Sequence, residues 1–195
     1  LAAMVVASLL NVISIIKLGE VHYAFSGWTA PLGIEWVADG FASVVMVLVS
    51  VLGLLGIVFA GPTSPKGLHG RIVHYYVLIL LLISALTGIV FAGDLFNLFV
   101  FLEVAAIASY ALVGMAGGRA LFASFRYLVL GTLGASFYLL GVSYFYAASG
   151  TLNMADIAEK VPQLLSSKAF LGGILFMFIG LGIKMAMVPF HVWMP

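Results

Sequence analysis

Six runs of predominantly apolar residues, roughly 2–18, 41–60, 72–92, 95–116, 121–148 and 169–188, make up most of this chain and leave little sequence between them. Each approaches or exceeds the ~20 residues that a helix needs to cross a bilayer. Inside lipid every backbone N–H and C=O must be satisfied, and these runs are continuous rather than alternating, so they are predicted as helices and not as barrel strands. The expected fold is all-α: a polytopic transmembrane helix bundle of about six spans, forming one membrane domain over residues 1–195. The run 121–148 is longer than a perpendicular crossing requires, which implies tilt or an end that reaches water.

Composition agrees. The chain is 64% hydrophobic and 8% charged, whereas soluble domains run at about 45–50% apolar and about 25% charged. It has no cysteine, which excludes disulfides, cysteine-ligated iron–sulfur clusters and thiolate zinc within it. No phosphate loop, dinucleotide fingerprint or HExxH occurs. His22 and His69 fall in connections and His74 near one membrane surface, so a bis-histidine haem is not indicated. No cofactor, metal or redox centre is expected in this chain. A net charge of +1 singles out no partner, and no basic run suggests nucleic acid. Leu1 is not an initiator methionine, and Met194 and Pro195 directly follow an apolar run, so the sequence is read as an internal fragment. Its first residues lack a basic stretch and a cleavage site, which favours a span over a signal peptide.

Basic residues set the expected orientation. Lys66 and Arg71 follow the second span, and Arg119 and Arg126 flank the start of the fifth. The positive-inside rule places loops 61–71 and 117–126 on the cytoplasmic side. The opposite side receives 19–40, with Glu20, Glu35 and Asp39, and 149–168, where Asp156 and Glu159 balance Lys160 and Lys168. Trp28 and Trp36 are expected at that membrane surface. A short surface helix is predicted near 153–161, capped by Asn153 and discouraged beyond Val161 by Pro162. A plain solvated connector is the simpler account of that segment's role.

Two charges interrupt apolar runs. Glu103 lies eight residues beyond Leu95, about 12 Å along a helix and near mid-bilayer. A charge at that depth costs about 2.5–3.5 kcal/mol on insertion scales, so such residues usually face a bundle interior and serve ion or proton paths; the alternative is a structural carboxylate bonded across helices. Lys184 stands in FIGLGIKMAMVPFHVWMP, whose apolar run continues through Val188 before Pro189. Pro189 lacks an N–H and clashes with the preceding turn, so the last span is expected to break there, inside the membrane, beside the lysine. The competing account of Lys184 is an interfacial lysine reaching for headgroups. His191 is equally compatible with a proton relay and with hydrogen-bonded structure. Asp94 is read first as the cap of the Glu103 helix and second as a place of ion uptake. Gly114 and Gly118 form a GxxxG spacing at a helix end, a weak packing signal.

Taken together, GDLFNLFVFLEVAAIASYALVG and GIKMAMVPFHVWMP resemble the antiporter-like, proton-translocating subunits shared by respiratory complex I, membrane-bound hydrogenases and Mrp-type sodium/proton antiporters. The resemblance covers nearly the whole chain, including WTAPLGIEWVADGFA, and TLNMADIA looks closer to the Mrp and hydrogenase branch. It implies a larger fold of about fourteen helices with inverted five-helix repeats. This chain would run from the family's second helix to the start of its broken seventh, without the second repeat. It further implies that Glu103 and Lys184 are the proton-transfer pair, that Pro189, Phe190, His191, Trp193 and Pro195 are the segment after the break, and that the partners are other membrane subunits and H⁺ or Na⁺. Two other readings remain at this point. One is a structural membrane anchor for redox subunits; the other is part of a quinone- or haem-binding membrane enzyme.

Overall fold

The computed structural model describes residues 1–63 and 70–193. Lys66, His69 and Pro195 lie outside them. Helix α1 spans Ala2–Leu18 and is followed by a two-stranded antiparallel hairpin, β1 Val21–Ala24 with β2 Glu35–Ala38. Then come α2 Gly40–Thr63, α3 Ile72–Phe91, α4 Leu95–Gly114, α5 Arg119–Ser149, the short α6 Met154–Leu164 and α7 Lys168–Lys184. A 3-10 turn, Phe190–Trp193, closes the described chain.

Helices α2 to α5 are long and apolar enough to cross a membrane, whereas α1 and α7, at 17 residues each, are at the short end of that range. The result is a multi-pass membrane bundle. Consecutive helices neighbour one another, from α1 against α2 through α4 against α5. The most extensive contact joins α5 to α7, with α6 between them in sequence. Leu48, Leu52, Val58 and Phe59 of α2 are exposed on this chain, as surfaces facing lipid or other membrane helices must be.

Glycine explains how closely α5 and α7 approach. A Cβ added at Gly180 would stand 2.5 Å from the Tyr138 nitrogen and 2.7 Å from the Gly134 oxygen, and one at Gly141 would stand 2.8 Å from the Met177 nitrogen. Without side chains at these positions the two backbones meet, and dispersion replaces the hydrophobic drive that lipid removes. The buried core adjoins the same seam, where Leu95, Tyr138, Val142, Ile157 and Phe170 draw α4, α5, α6 and α7 together.

Four local features refine or depart from the sequence expectations. The connection 19–40 holds a hairpin, since β1 and β2 pair in it. The ring of Trp36 packs among Phe25, Phe91 and Phe101, while Trp28 remains exposed. Helix α6 passes Pro162 and ends at Leu164. The proline removes the N–H that would bond the carbonyl of Ala158, an exposed residue. Gly118 takes a positive φ of 53° at the start of α5, so the GxxxG pair does not lie on one helix and only Gly114 approaches α5, beside Ser124.

Candidate functional site

Asp94 starts α4 as its N-cap. Its carboxylate accepts hydrogen bonds from the backbone N–H groups of Phe96 (2.8 Å) and Asn97 (2.9 Å), in keeping with the capping role expected from its position. The segment before the helix is held from both sides. Gly93 N–H donates to Glu35 O (3.1 Å), Leu95 N–H to Leu152 O (2.9 Å) and Met154 N–H to Gly93 O (2.9 Å). Behind these contacts the Glu35 carboxylate, only 10% exposed, accepts from Asn153 Nδ2 at 2.6 Å and faces His22 Nδ1 at 3.2 Å. The hairpin, the start of α4 and the start of α6 are thus fastened at one end of the bundle. Asp94 also borders a cavity of about 330 Å³ lined by Gly33, Phe96, Tyr146 and Thr151.

That anchored start fixes where Glu103 stands, two turns into α4. Lys184 arrives from the far end of α7, and its Nζ donates a hydrogen bond to Glu103 Oε1. The side chains retain 12% (Lys184) and 26% (Glu103) exposure, so the pair lies between α4 and α7.

Helix α7 ends at Lys184 itself, five residues before Pro189, so the break takes in 185–189 and the proline marks its far side. The local cause is a Schellman turn. Ala186 N–H donates to Ile183 O (3.1 Å) and Met187 N–H to Gly182 O (2.8 Å), with Ala186 in the left-handed region at φ 52°. The sequence offers no glycine to announce this stop. As the last helical residue, Lys184 also sits at the negative end of the α7 dipole, which favours a cation.

Beyond the break Trp193 folds back, its indole N–H donating to Ile183 O at 2.8 Å and its ring stacked on Tyr127 at 4.4 Å. Tyr127 in turn meets Tyr110 edge to face at 4.5 Å. His191 lies in the same 3-10 turn with its side chain exposed on this chain, and the structure does not bring it to the ion pair. Tyr110, Tyr127 and the Glu35–Asn153 contact do not stand out in the sequence. For Tyr110 a signal exists, because it follows Glu103 by seven residues and so shares its helix face.

Residues 92–195, more than half of the chain, match the family described as NADH:quinone oxidoreductase/Mrp antiporter, transmembrane region. The chain belongs to that family. It is 45% identical over 174 residues to an NADH-quinone oxidoreductase subunit of Desulforudis audaxviator, covering 89% of this chain and 35% of that protein. It is 33% identical over 186 residues to a Na(+)/H(+) antiporter subunit of Alkalihalophilus pseudofirmus, covering 95% of this chain and 36% of that protein. Among solved structures, a chain of the membrane-bound sulfane sulfur reductase, an archaeal respiratory membrane complex, superposes with a TM-score of 0.89 at 31% identity, over 98% of this chain and 39% of that one. The chain therefore spans a little over a third of the length of the relatives it matches, and within that third it carries the family's antiporter-like bundle with a charge pair between α4 and α7.

Proposed function

We propose that this chain is part of a proton-translocating antiporter-like subunit of a multisubunit membrane complex, and that Glu103 and Lys184 are its proton-transfer pair. The observation that carries this reading is the hydrogen-bonded ion pair between α4 and α7, at the point where α7 ends inside the bundle. Two relatives named for different activities, an NADH-quinone oxidoreductase and a Na(+)/H(+) antiporter, share this chain's sequence pattern, and proton movement is the chemistry that suits both names.

The mechanism follows from the cost of unpaired charge. While paired, the ammonium and carboxylate neutralise each other. Drawn apart in a poorly hydrated interior, each would cost about 2.5–3.5 kcal/mol on insertion scales, and about 1.4 kcal/mol corresponds to a tenfold change in equilibrium. The separated state is relieved when Lys184 gives a proton to hydrated groups beyond the break and Glu103 takes one up. Closing the pair passes the proton from neutral Glu103 to neutral Lys184 and restores the ion pair, so one cycle moves one proton from the side that feeds Glu103 to the groups beyond the break. The break over 185–189 makes α7 the movable partner, because its last turn is continued by a turn segment and not by helix.

The orientation proposed with this function puts the α4–α5 elbow, flanked by Arg119 and Arg126, in the cytoplasm. The hairpin and α6 then lie on the opposite side. Because the chain has no cysteine, an Ala116→Cys variant in intact cells should resist a membrane-impermeant maleimide while Ser166→Cys reacts. The reverse pattern would invert the assignment.

Transport measured in proteoliposomes of the assembled complex tests the pair. Glu103→Gln and Lys184→Met should each reduce coupled ion transport to background while the complex still assembles. Wild-type rates in either variant would return the chain to the role of a structural membrane anchor.

A further inference from the structure

Tyr110 is 6% exposed, and its hydroxyl has no hydrogen-bond partner among the described residues. A buried hydroxyl without a partner carries a desolvation penalty that nothing offsets. Three observations say what this one faces. First, Tyr110 follows Glu103 by seven residues on α4, a rotation that returns to the same face. Second, its phenol oxygen enters a notch in α5: a Cβ built on Gly131 would stand 1.9 Å from it, so only glycine leaves the hydroxyl room.

Third, the register of the two helices gives its depth. Gly114 lies beside Ser124 across the elbow, and Ser124 Oγ donates to Tyr110 O at 2.7 Å. Counting seven residues along each antiparallel helix from that contact brings Gly131 level with Ile107. The phenol oxygen therefore stands near the level of Ile107, an axial offset of about one helical turn, ~6 Å, from the level of Glu103 on α4. One or two waters at hydrogen-bond spacing span such a gap.

We propose that Tyr110 is a proton-relay residue on the elbow side of Glu103, its hydroxyl binding a water on the helix face that the two residues share. This rests on the reading of Glu103 as a proton-transfer group. In the relay step the phenol gives its proton to that water as its oxygen accepts one from a second water on the elbow side, and that second water takes a proton from the aqueous phase at the elbow. The first water passes a proton to the Glu103 carboxylate, so the phenol and both waters end as they began and Glu103 holds one proton taken from that aqueous phase. The edge-to-face contact of Tyr110 with Tyr127, which stacks on Trp193, holds the phenol in place, and the bond from Trp193 to Ile183 O ties it to the turn bearing Lys184. A shift of the segment after the break would thus move the relay together with the pair.

Tyr110→Phe keeps the ring and its contact with Tyr127 and removes the hydroxyl alone, which separates relay from packing. The experiment compares Tyr110→Phe and Glu103→Gln in the assembled complex, by proteoliposome transport, thermal unfolding and the infrared carboxyl band that disappears in Glu103→Gln. The expected result is background transport in Glu103→Gln and at least a tenfold loss in Tyr110→Phe, with unchanged unfolding temperature and a shifted carboxyl band. Background transport in Glu103→Gln beside wild-type transport in Tyr110→Phe would overturn the relay and leave the pair standing. Wild-type transport in both would overturn the two together. A slowed Tyr110→Phe with a lowered unfolding temperature and an unmoved carboxyl band would make Tyr110 a packing residue.

Discussion

At Lys184 three features stabilise one ammonium: the Glu103 carboxylate, the negative end of the α7 dipole, and a position between helices that keeps it from lipid. At the opposite end of the bundle His22 shows a different balance. Its hydrogen bond to Glu35 is the largest influence and raises its proton affinity above the ordinary histidine value of 6.5; partial burial works against this, and the Glu35 and Glu20 charges add to it. A raised value means that protonated His22 holds the hairpin against Glu35. That contribution is complete below 6.5 and is lost as pH climbs through the raised value. Hydrogen exchange of residues 21–38 should therefore be slower near about pH 5.5 than near about pH 8.5 after correction for intrinsic rates, and Glu35→Gln should remove the difference. Equal protection at both pH values would show that the contact does not hold the hairpin. Glu103 and Lys184 were visible in the sequence because charge inside an apolar run is costly and so conspicuous. Tyr110 was not, since a neutral tyrosine in a membrane helix raises no such alarm, and only the notch at Gly131 shows its hydroxyl to be buried.

Among the elements, the long helices could be read from their apolar runs, while the irregular pieces could not. Strands of four residues are too short to show an alternating pattern, so β1 and β2 left no signature. The end of α7 was hidden for another reason, because its stop uses Ala186 in a conformation that normally calls for glycine. The seam between α5 and α7 left a trace in the pairs Gly134 with Gly141 and Gly173 with Gly180, each seven residues apart, but 22 glycines in the chain concealed it. That seam carries its own prediction. Gly180→Ala would press a methyl onto the backbone at Tyr138 and Gly134, neither of which can rotate aside. It should destabilise the bundle by roughly 1–3 kcal/mol. Gly56→Ala, where a Cβ meets nothing within 4 Å, should not. Thermal unfolding of the assembled complex in detergent distinguishes them, and equal midpoints for the two variants would refute the packing argument.

For the whole molecule, one end of the bundle is fastened by hydrogen bonds and at the other α7 gives way to a turn segment. The hairpin, the Asp94 cap and α6 are joined by hydrogen bonds that Asn153 and Gly93 donate to Glu35 and Leu95 donates to Leu152, which fixes α4 at its start. Helix α7 leaves that anchored end, runs along the glycine seam and stops at Lys184, where a turn segment takes over. Fold class and family were legible because composition forces helices and because the two charged motifs stand at a characteristic separation. How the charges meet was not, since it depends on the registers of α4, α5 and α7, which no single run of sequence encodes. The central claim is that the pair transfers protons and does more than hold two helices together. The most direct measurement is transport and thermal stability of the assembled complex carrying Glu103→Gln and Lys184→Met together, beside each single variant. A purely structural ion pair can be replaced by two neutral groups without loss. The account predicts that the double variant regains the stability lost in Lys184→Met yet transports at background, and wild-type transport in the double variant would contradict it.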